Sequence, residues 1–259
     1  MANKLTVALV QTQLYWEHPQ NNKKHFEQHV ESIEEAVDVI ILPEMFTSGF
    51  TMEPQKVAEA MNGETVHWLK VLAQSKQAAI TGSIVIKEDD YFYNRLLFVE
   101  PSGNLSYYNK RHTFSLAGED KVYKAGSDKV IITYKGWKLC PMICYDLRFP
   151  VWSRNVEDYD VLFYVANWPE RRIAAWDVLL RARAIENMAY CIGVNRVGTD
   201  GNGHPYVGHS AAYDVLGNSL VKPMEGESTV VVSLDKSHIE EHRTKLKFLN
   251  DRDRFNLID

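Results

Sequence analysis

The residues best suited to chemistry are a thiol, a carboxylate and an ammonium in three separate segments. The thiol sits in Met142-Ile143-Cys144-Tyr145-Asp146-Leu147-Arg148-Phe149-Pro150, where the apolar run 139–143 ends and the chain turns polar. A cysteine at the C-terminal tip of a buried strand stands where α/β proteins assemble their sites. The carboxylate sits in Leu42-Pro43-Glu44-Met45-Phe46, directly after the apolar stretch 39–42. Burying it there is costly unless it is paired or functional. The ammonium sits in Tyr107-Tyr108-Asn109-Lys110-Arg111-His112. Singly, each has an ordinary structural explanation: a packed core thiol, a solvated strand end, a surface lysine. Together they supply a base, a cation and a nucleophile, the minimum for covalent acyl transfer without a metal.

Positioning them requires strands that end in loops. Leu5 to Val10 and Val39 to Leu42 read as strands, and Phe26, Val30, Ile33 and Val37 recur at helical spacing between them. Val66, Leu69 and Leu72 mark a second helix, and Ala78 to Ile86 and Tyr91 to Val99 read as a hairpin around a charged turn. The second half repeats the pattern. Strands are expected over 130–133, 137–143, 160–166, 190–194, 210–215 and 229–234. A short helix is expected after Phe149-Pro150. A longer one is expected from about Arg172 to Ala189, with Trp176, Leu179, Leu180 and Ile185 available for its buried side, and a third near 238–243. No linker or repeat divides the chain, so 1–259 reads as a single α/β domain with helices outside sheets. The end, 245–259, mixes charge with Phe248, Leu249, Phe255 and Leu257, and suits either a loose tail or a subunit contact.

Composition narrows the class. At 45% hydrophobic and 24% charged the chain is ordinarily globular, and 259 residues bury a core without metal or disulfide. A net charge of −5 offers no basic face for nucleic acid. The three cysteines, Cys140, Cys144 and Cys191, fit a reducing compartment, and their spacing suits neither a zinc finger nor a C-x-x-C redox pair. No segment reads as a signal peptide or a membrane span, so a cytoplasmic location is expected. His112, His204 and His209 are scattered and suggest no metal, and Gly201-Asn202-Gly203 is too short for a phosphate loop.

The three chemical segments resemble the signature motifs of the nitrilase (carbon–nitrogen hydrolase) superfamily, with a Glu–Lys–Cys triad. Their order and spacing agree, 66 residues from Glu44 to Lys110 and 34 more to Cys144. The resemblance continues through Tyr164-Val165-Ala166-Asn167-Trp168-Pro169, Leu180-Arg181-Ala182-Arg183-Ala184-Ile185-Glu186-Asn187 and Gly208-His209-Ser210. It implies a four-layer α-β-β-α sandwich, commonly dimerised through helices. Ala117-Gly118-Glu119-Asp120 resembles the segment that supplies a second active-site glutamate, so Glu119 joins the candidates. The Tyr145 backbone N–H, next to the nucleophile, is a candidate oxyanion donor.

Within the superfamily the chain most resembles the ω-amidase branch, through Cys144 to Pro150 and Asn167-Trp168-Pro169. That resemblance implies hydrolysis of the terminal amide of 2-oxoglutaramate and 2-oxosuccinamate through a thioester, with no cofactor. A dicarboxylic monoamide needs a cation for its far carboxylate, and arginine reads carboxylates bidentately. The candidates are Arg148, Arg171 and Arg172. Arg148 alternatively pairs with Asp146 or another acid, and the other two alternatively sit solvated at a helix start. Phe46, Tyr145 and Trp168 could wall a small pocket. An N-carbamoyl amino acid hydrolase or an aliphatic nitrilase would use the same triad. A non-catalytic binding protein on this scaffold is the alternative of another class.

Overall fold

The computed structural model describes residues 3–257. Two six-stranded sheets pack face to face. The first contains β1 (Lys4–Gln11), β2 (Val39–Ile41), β3 (Ala79–Glu88), β4 (Tyr91–Val99), β5 (Leu105–Asn109) and β14 (Ser228–Asp235), in the order β14-β1-β2-β3-β4-β5. The second contains β6 (Ile132–Tyr134), β7 (Trp137–Ile143), β8 (Val161–Val165), β9 (Tyr190–Val194), β12 (Ala211–Tyr213) and β13 (Ser219–Val221), in the order β13-β12-β9-β8-β7-β6. A two-stranded ribbon, β10 (Val197–Thr199) with β11 (Pro205–Val207), stands apart. In each sheet the three central strands, β1-β2-β3 and β7-β8-β9, run parallel, and the outer pairings are antiparallel.

Side-chain alternation builds the layers. Along β1, Leu5, Val7 and Leu9 join a core with the second sheet, while Ala8 and Val10 join a core under α1 (Pro19–Glu31) and α2 (Glu64–Lys76). That period of two sends successive residues to opposite faces. On the far side, Trp176, Leu180 and Ala184 of α4 (Ile173–Asn187) cover the second sheet. A short α3 (Pro150–Ser153) and α5 (Lys236–Leu246) complete the elements. The result is the expected α-β-β-α sandwich. Among the described residues, no helix is long and apolar enough to cross a membrane.

Two expectations need correction. The first helix ends at Glu31, so Ile33 and Val37 lie beyond it, although both are buried. Ser32 stops the helix: its N–H bonds back to the Gln28 and Val30 carbonyls, and its hydroxyl donates to His29. On α4, Ile185 is exposed rather than buried, because the inward face is carried by Trp176, Leu180, Ala184 and Arg183. A strand over Leu105–Asn109, unforeseen, delivers Lys110 to the site. In the chain's last segment, Phe248–Asp251 forms a 3-10 turn and Arg252 pairs with Asp158, while residues 258–259 of the proposed tail lie outside the described residues.

The α4–sheet contact is close at Gly193 of β9. A Cβ there would fall 2.5 Å from Leu180 Cδ1 and 2.6 Å from Trp176 Cζ2. Trp176 is fixed, because its Nε1 donates to the His209 carbonyl at 2.8 Å. Gly193→Ala is therefore expected to destabilise the fold by about 1–3 kcal/mol through overpacking, read as a lower urea midpoint with unchanged slope.

Candidate active site

The parallel strands of the two sheets place the chemical residues at their C-terminal ends. Glu44 follows β2, Cys144 follows β7 and Asn167 follows β8, while Lys110 comes directly after β5. Met45 and Cys144 both hold left-handed backbone, each with φ +43°. Such a conformation is unusual for a residue with a Cβ and marks a sharp, supported turn. The Glu44 turn is supported by Ser83, whose hydroxyl accepts the Met45 N–H at 2.8 Å.

The Cys144 turn is supported by Asp146. This buried carboxylate accepts the Ile143 N–H at 3.0 Å and the His112 N–H at 2.9 Å, and the Tyr108 hydroxyl donates to it at 2.8 Å. His112 adds its Nδ1 at 2.8 Å and stacks on Phe149, with ring centroids 3.7 Å apart. Asp146 thus ties the Lys110 segment to the Cys144 segment. It is occupied by these partners and makes no ion pair with Arg148, which instead lies with its guanidinium 4.9 Å from the Trp168 ring.

At the centre, Lys110 bridges two carboxylates. Its Nζ donates to Glu44 Oε1 at 2.9 Å and to Glu119 at 3.1 and 2.9 Å, and all three side chains are buried. Asn94 donates through Nδ2 to Glu44 Oε1 at 2.7 Å and to Glu119 Oε1 at 3.2 Å. Ser83 fixes that amide by donating to its Oδ1 at 2.8 Å. Glu119 also accepts the Phe114 N–H. The second Glu44 oxygen accepts the Asn167 N–H at 2.8 Å, and Asn167 Nδ2 donates to the Glu44 carbonyl at 2.6 Å. The Cys144 sulfur lies 3.9 Å from the Asn167 carbonyl, so Asn167 touches both Glu44 and the thiol.

The electrostatics follow from burial and like charges. Desolvation would lower the Lys110 ammonium, but Glu119, Glu44 and Cys144 outweigh it and the net shift is upward. Burial raises the Glu119 carboxyl, Lys110 opposes it, and the Glu44 charge pushes it up again, leaving it above the usual carboxylate range. Burial raises the Cys144 thiol far above its ordinary value, Glu44 adds to this, and Lys110 only partly opposes them. These shifts favour the thiol over the thiolate in the resting site.

A cavity of about 540 Å3 opens above this centre. Lys110, Cys144 and Asn167 reach it, with Phe50, Phe114, Tyr145, Trp168 and Tyr206 among its walls. Arg148, Arg171 and Arg172 all line it, and among the described residues none of them makes an ion pair with a carboxylate. The Arg172 guanidinium, 5.0 Å from the Phe114 ring, is lowered by burial and then by the Arg171 charge. Phe46 does not belong to these walls. It packs between Phe26 and Trp68 in the helix-facing core, because the Met45 turn carries it back over the sheet. His204 lines the cavity, whereas His209 bonds to Asp177 at 3.0 Å. Cys140 and Cys191 are buried free thiols away from the site.

Sequence reasoning missed Asn94 and gave Asn167 no role. The signal for Asn94 was present: Asn94-Arg95 interrupts the apolar strand Tyr91–Val99, and a polar residue at a buried strand position must find partners.

The carbon–nitrogen hydrolase family model matches residues 6–244. The chain is 44% identical over 254 residues to the omega-amidase YafV of Escherichia coli, covering 98% of each. It is 30% identical over 253 residues to the 2-oxoglutaramate amidase of Bacillus subtilis, covering 96% of this chain and 97% of that one. A solved CN-hydrolase superfamily protein from Xanthomonas campestris, with an arsenic adduct in its active site, superposes with a TM-score of 0.96 at 42% identity, covering 99% and 100% of the two chains. With the sandwich, the match of sequence across it and the site between its sheets in place, the chain belongs to the carbon–nitrogen hydrolase family.

Proposed function

We propose that this protein is a metal-independent ω-amidase that hydrolyses the terminal amide of small 2-oxo dicarboxylic monoamides, 2-oxoglutaramate and 2-oxosuccinamate. The observation that carries this reading is the set of guanidiniums that have no carboxylate partner among the described residues and line the cavity that holds Cys144. Three cations left together repel one another, and an arriving carboxylate relieves that repulsion. The activities named for the Escherichia coli and Bacillus subtilis relatives support the same substrate class.

Glu44 accepts the Cys144 proton as sulfur attacks the amide carbon. The new C–S bond leaves a tetrahedral oxyanion. Lys110 and the Tyr145 N–H stabilise it, the latter from the first turn of a 3-10 segment, where N–H groups lack partners within the turn. Lys110 meets both Glu119 oxygens, so it can redirect one N–H to the oxyanion and still keep a contact to each carboxylate. Glu44 returns the proton to nitrogen, the C–N bond breaks and ammonia leaves. Water, deprotonated by Glu44, then attacks the thioester. The C–S bond breaks, and the acid and the thiol are restored. Asn94 and Asn167 hold Glu44 in place through the cycle.

Ammonia release across 2-oxoglutaramate, 2-oxosuccinamate, glutaramate, N-carbamoyl-alanine and an aliphatic nitrile tests this reading. The first two are expected to turn over fastest, with no turnover by folded Cys144→Ala. Preference for the carbamoyl compound or the nitrile would overturn the assignment. Arg172→Ala is expected to lower kcat/KM for 2-oxoglutaramate by about 10- to 100-fold, the loss of a charged hydrogen bond worth roughly 1.5–3 kcal/mol. A neutral short amide should be hydrolysed at a nearly unchanged rate. Equal losses on both would remove Arg172 from carboxylate recognition.

A further inference from the structure

A second cluster of ligand-type side chains lies outside the catalytic cavity. His25 and His29 are four residues apart on α1 and therefore share one face. That face meets the end of β1. The Thr12 hydroxyl lies 2.6 Å from His25 Nε2 and 3.2 Å from His29 Nε2. Glu227, at the entry to β14, brings Oε1 to 3.1 Å from the same hydroxyl and 3.8 Å from His25 Nε2. One ligand atom from each of His25, His29 and Glu227 lies within 4.8 Å of the other two.

This arrangement matches what a transition metal needs. Bonds of about 2.0–2.1 Å in a tetrahedron place ligand atoms about 3.3–3.4 Å apart, so a small inward movement closes the site. The imidazoles meet edge to face at 86°, with centroids 4.7 Å apart, and so do not stack against each other. The outer nitrogen of His29, Nδ1, has a partner in the Thr229 hydroxyl at 3.5 Å, which leaves Nε2 facing the cluster. Glu227 Oε1 is held by the Gln13 N–H at 3.1 Å. The Thr12 hydroxyl, with one proton and two lone pairs, faces all three groups and so holds them round one point. The Glu227 side chain is 41% exposed, which leaves an entry path.

We propose that His25, His29 and Glu227 bind one first-row divalent transition ion, with Zn2+ the best match, and that water or Thr12 fills the fourth position. Two nitrogen donors and one carboxylate favour this class over Mg2+ or Ca2+, which take oxygen ligands. The three ligands come from α1 and from the entry to β14, around the end of β1. The ion would clip the first helix to the edge of its sheet. None of the three residues lines the cavity that holds Cys144, so the clip stabilises the fold and takes no part in amide hydrolysis.

Calorimetric titration of chelator-treated protein with ZnCl2 tests the proposal, in a Cys144→Ala background so that the cavity thiol cannot compete. One saturable equivalent is expected, together with a rise in Tm. His29→Ala should abolish both. Glu227→Gln, at an exposed position, should weaken binding by at least the roughly 10-fold that losing even an outer partner of a metal ligand costs. Should His29→Ala not fold, Glu227→Gln alone decides. No saturable uptake, or one equivalent bound equally well by Glu227→Gln, would overturn the site.

Discussion

One buried ammonium holds this site together. Lys110 stands between Glu44 and Glu119 with all three side chains buried, and none of the three charges is tolerable there without the others. Removing one member of such a set strands its partners and typically costs about 3–5 kcal/mol. The three residues arrive after β2, after β5 and from the loop beyond it. The charge balance is therefore complete only when the first sheet is fully assembled. Asp146 extends this dependence to the second sheet, because it binds the backbone on either side of the Lys110–Cys144 junction.

The same charges decide how the sulfur is used. Burial pushes the Cys144 thiol up, the Glu44 charge adds to it, and Lys110 opposes both without cancelling them. This differs from cysteine sites in which a neighbouring cation holds a preformed thiolate. In the proposed mechanism the nucleophile is generated when the proton moves to Glu44, whose two oxygens are already oriented by Asn94 and Asn167. Glu119 has its pKa raised by burial and by Glu44, and so bears on the pair's balance through Lys110. On the proposed reading, the guanidiniums at the cavity wall meet the substrate's carboxylate.

Much of this was legible in the sequence, for identifiable reasons. Glu44, Lys110 and Cys144 each interrupt or end an apolar or aromatic run, and such breaks are visible without coordinates. Periodicity located the strands because both faces of each central strand are buried. What it could not show was direction after a turn. Phe46 follows Glu44 in sequence, yet the left-handed Met45 sends it into the helix-facing core. Arg148 lies two residues from Asp146, yet backbone N–H groups and a tyrosine had already claimed that carboxylate. The His25–His29 spacing was readable, but Glu227 is brought to it only by β14 pairing with β1. Local pattern carries burial. It does not carry which polar group reaches a partner first.

The direct test of the central balance is the pH profile of Cys144 alkylation by iodoacetamide in the resting protein. Burial and the Glu44 charge both raise the thiol, so the rate should still be climbing above pH 9. Glu44→Gln removes a negative charge beside sulfur and leaves Lys110 less compensated. Both effects favour the thiolate, so the profile should move to lower pH. A plateau already reached near neutral pH, or a profile unmoved by Glu44→Gln, would contradict the account.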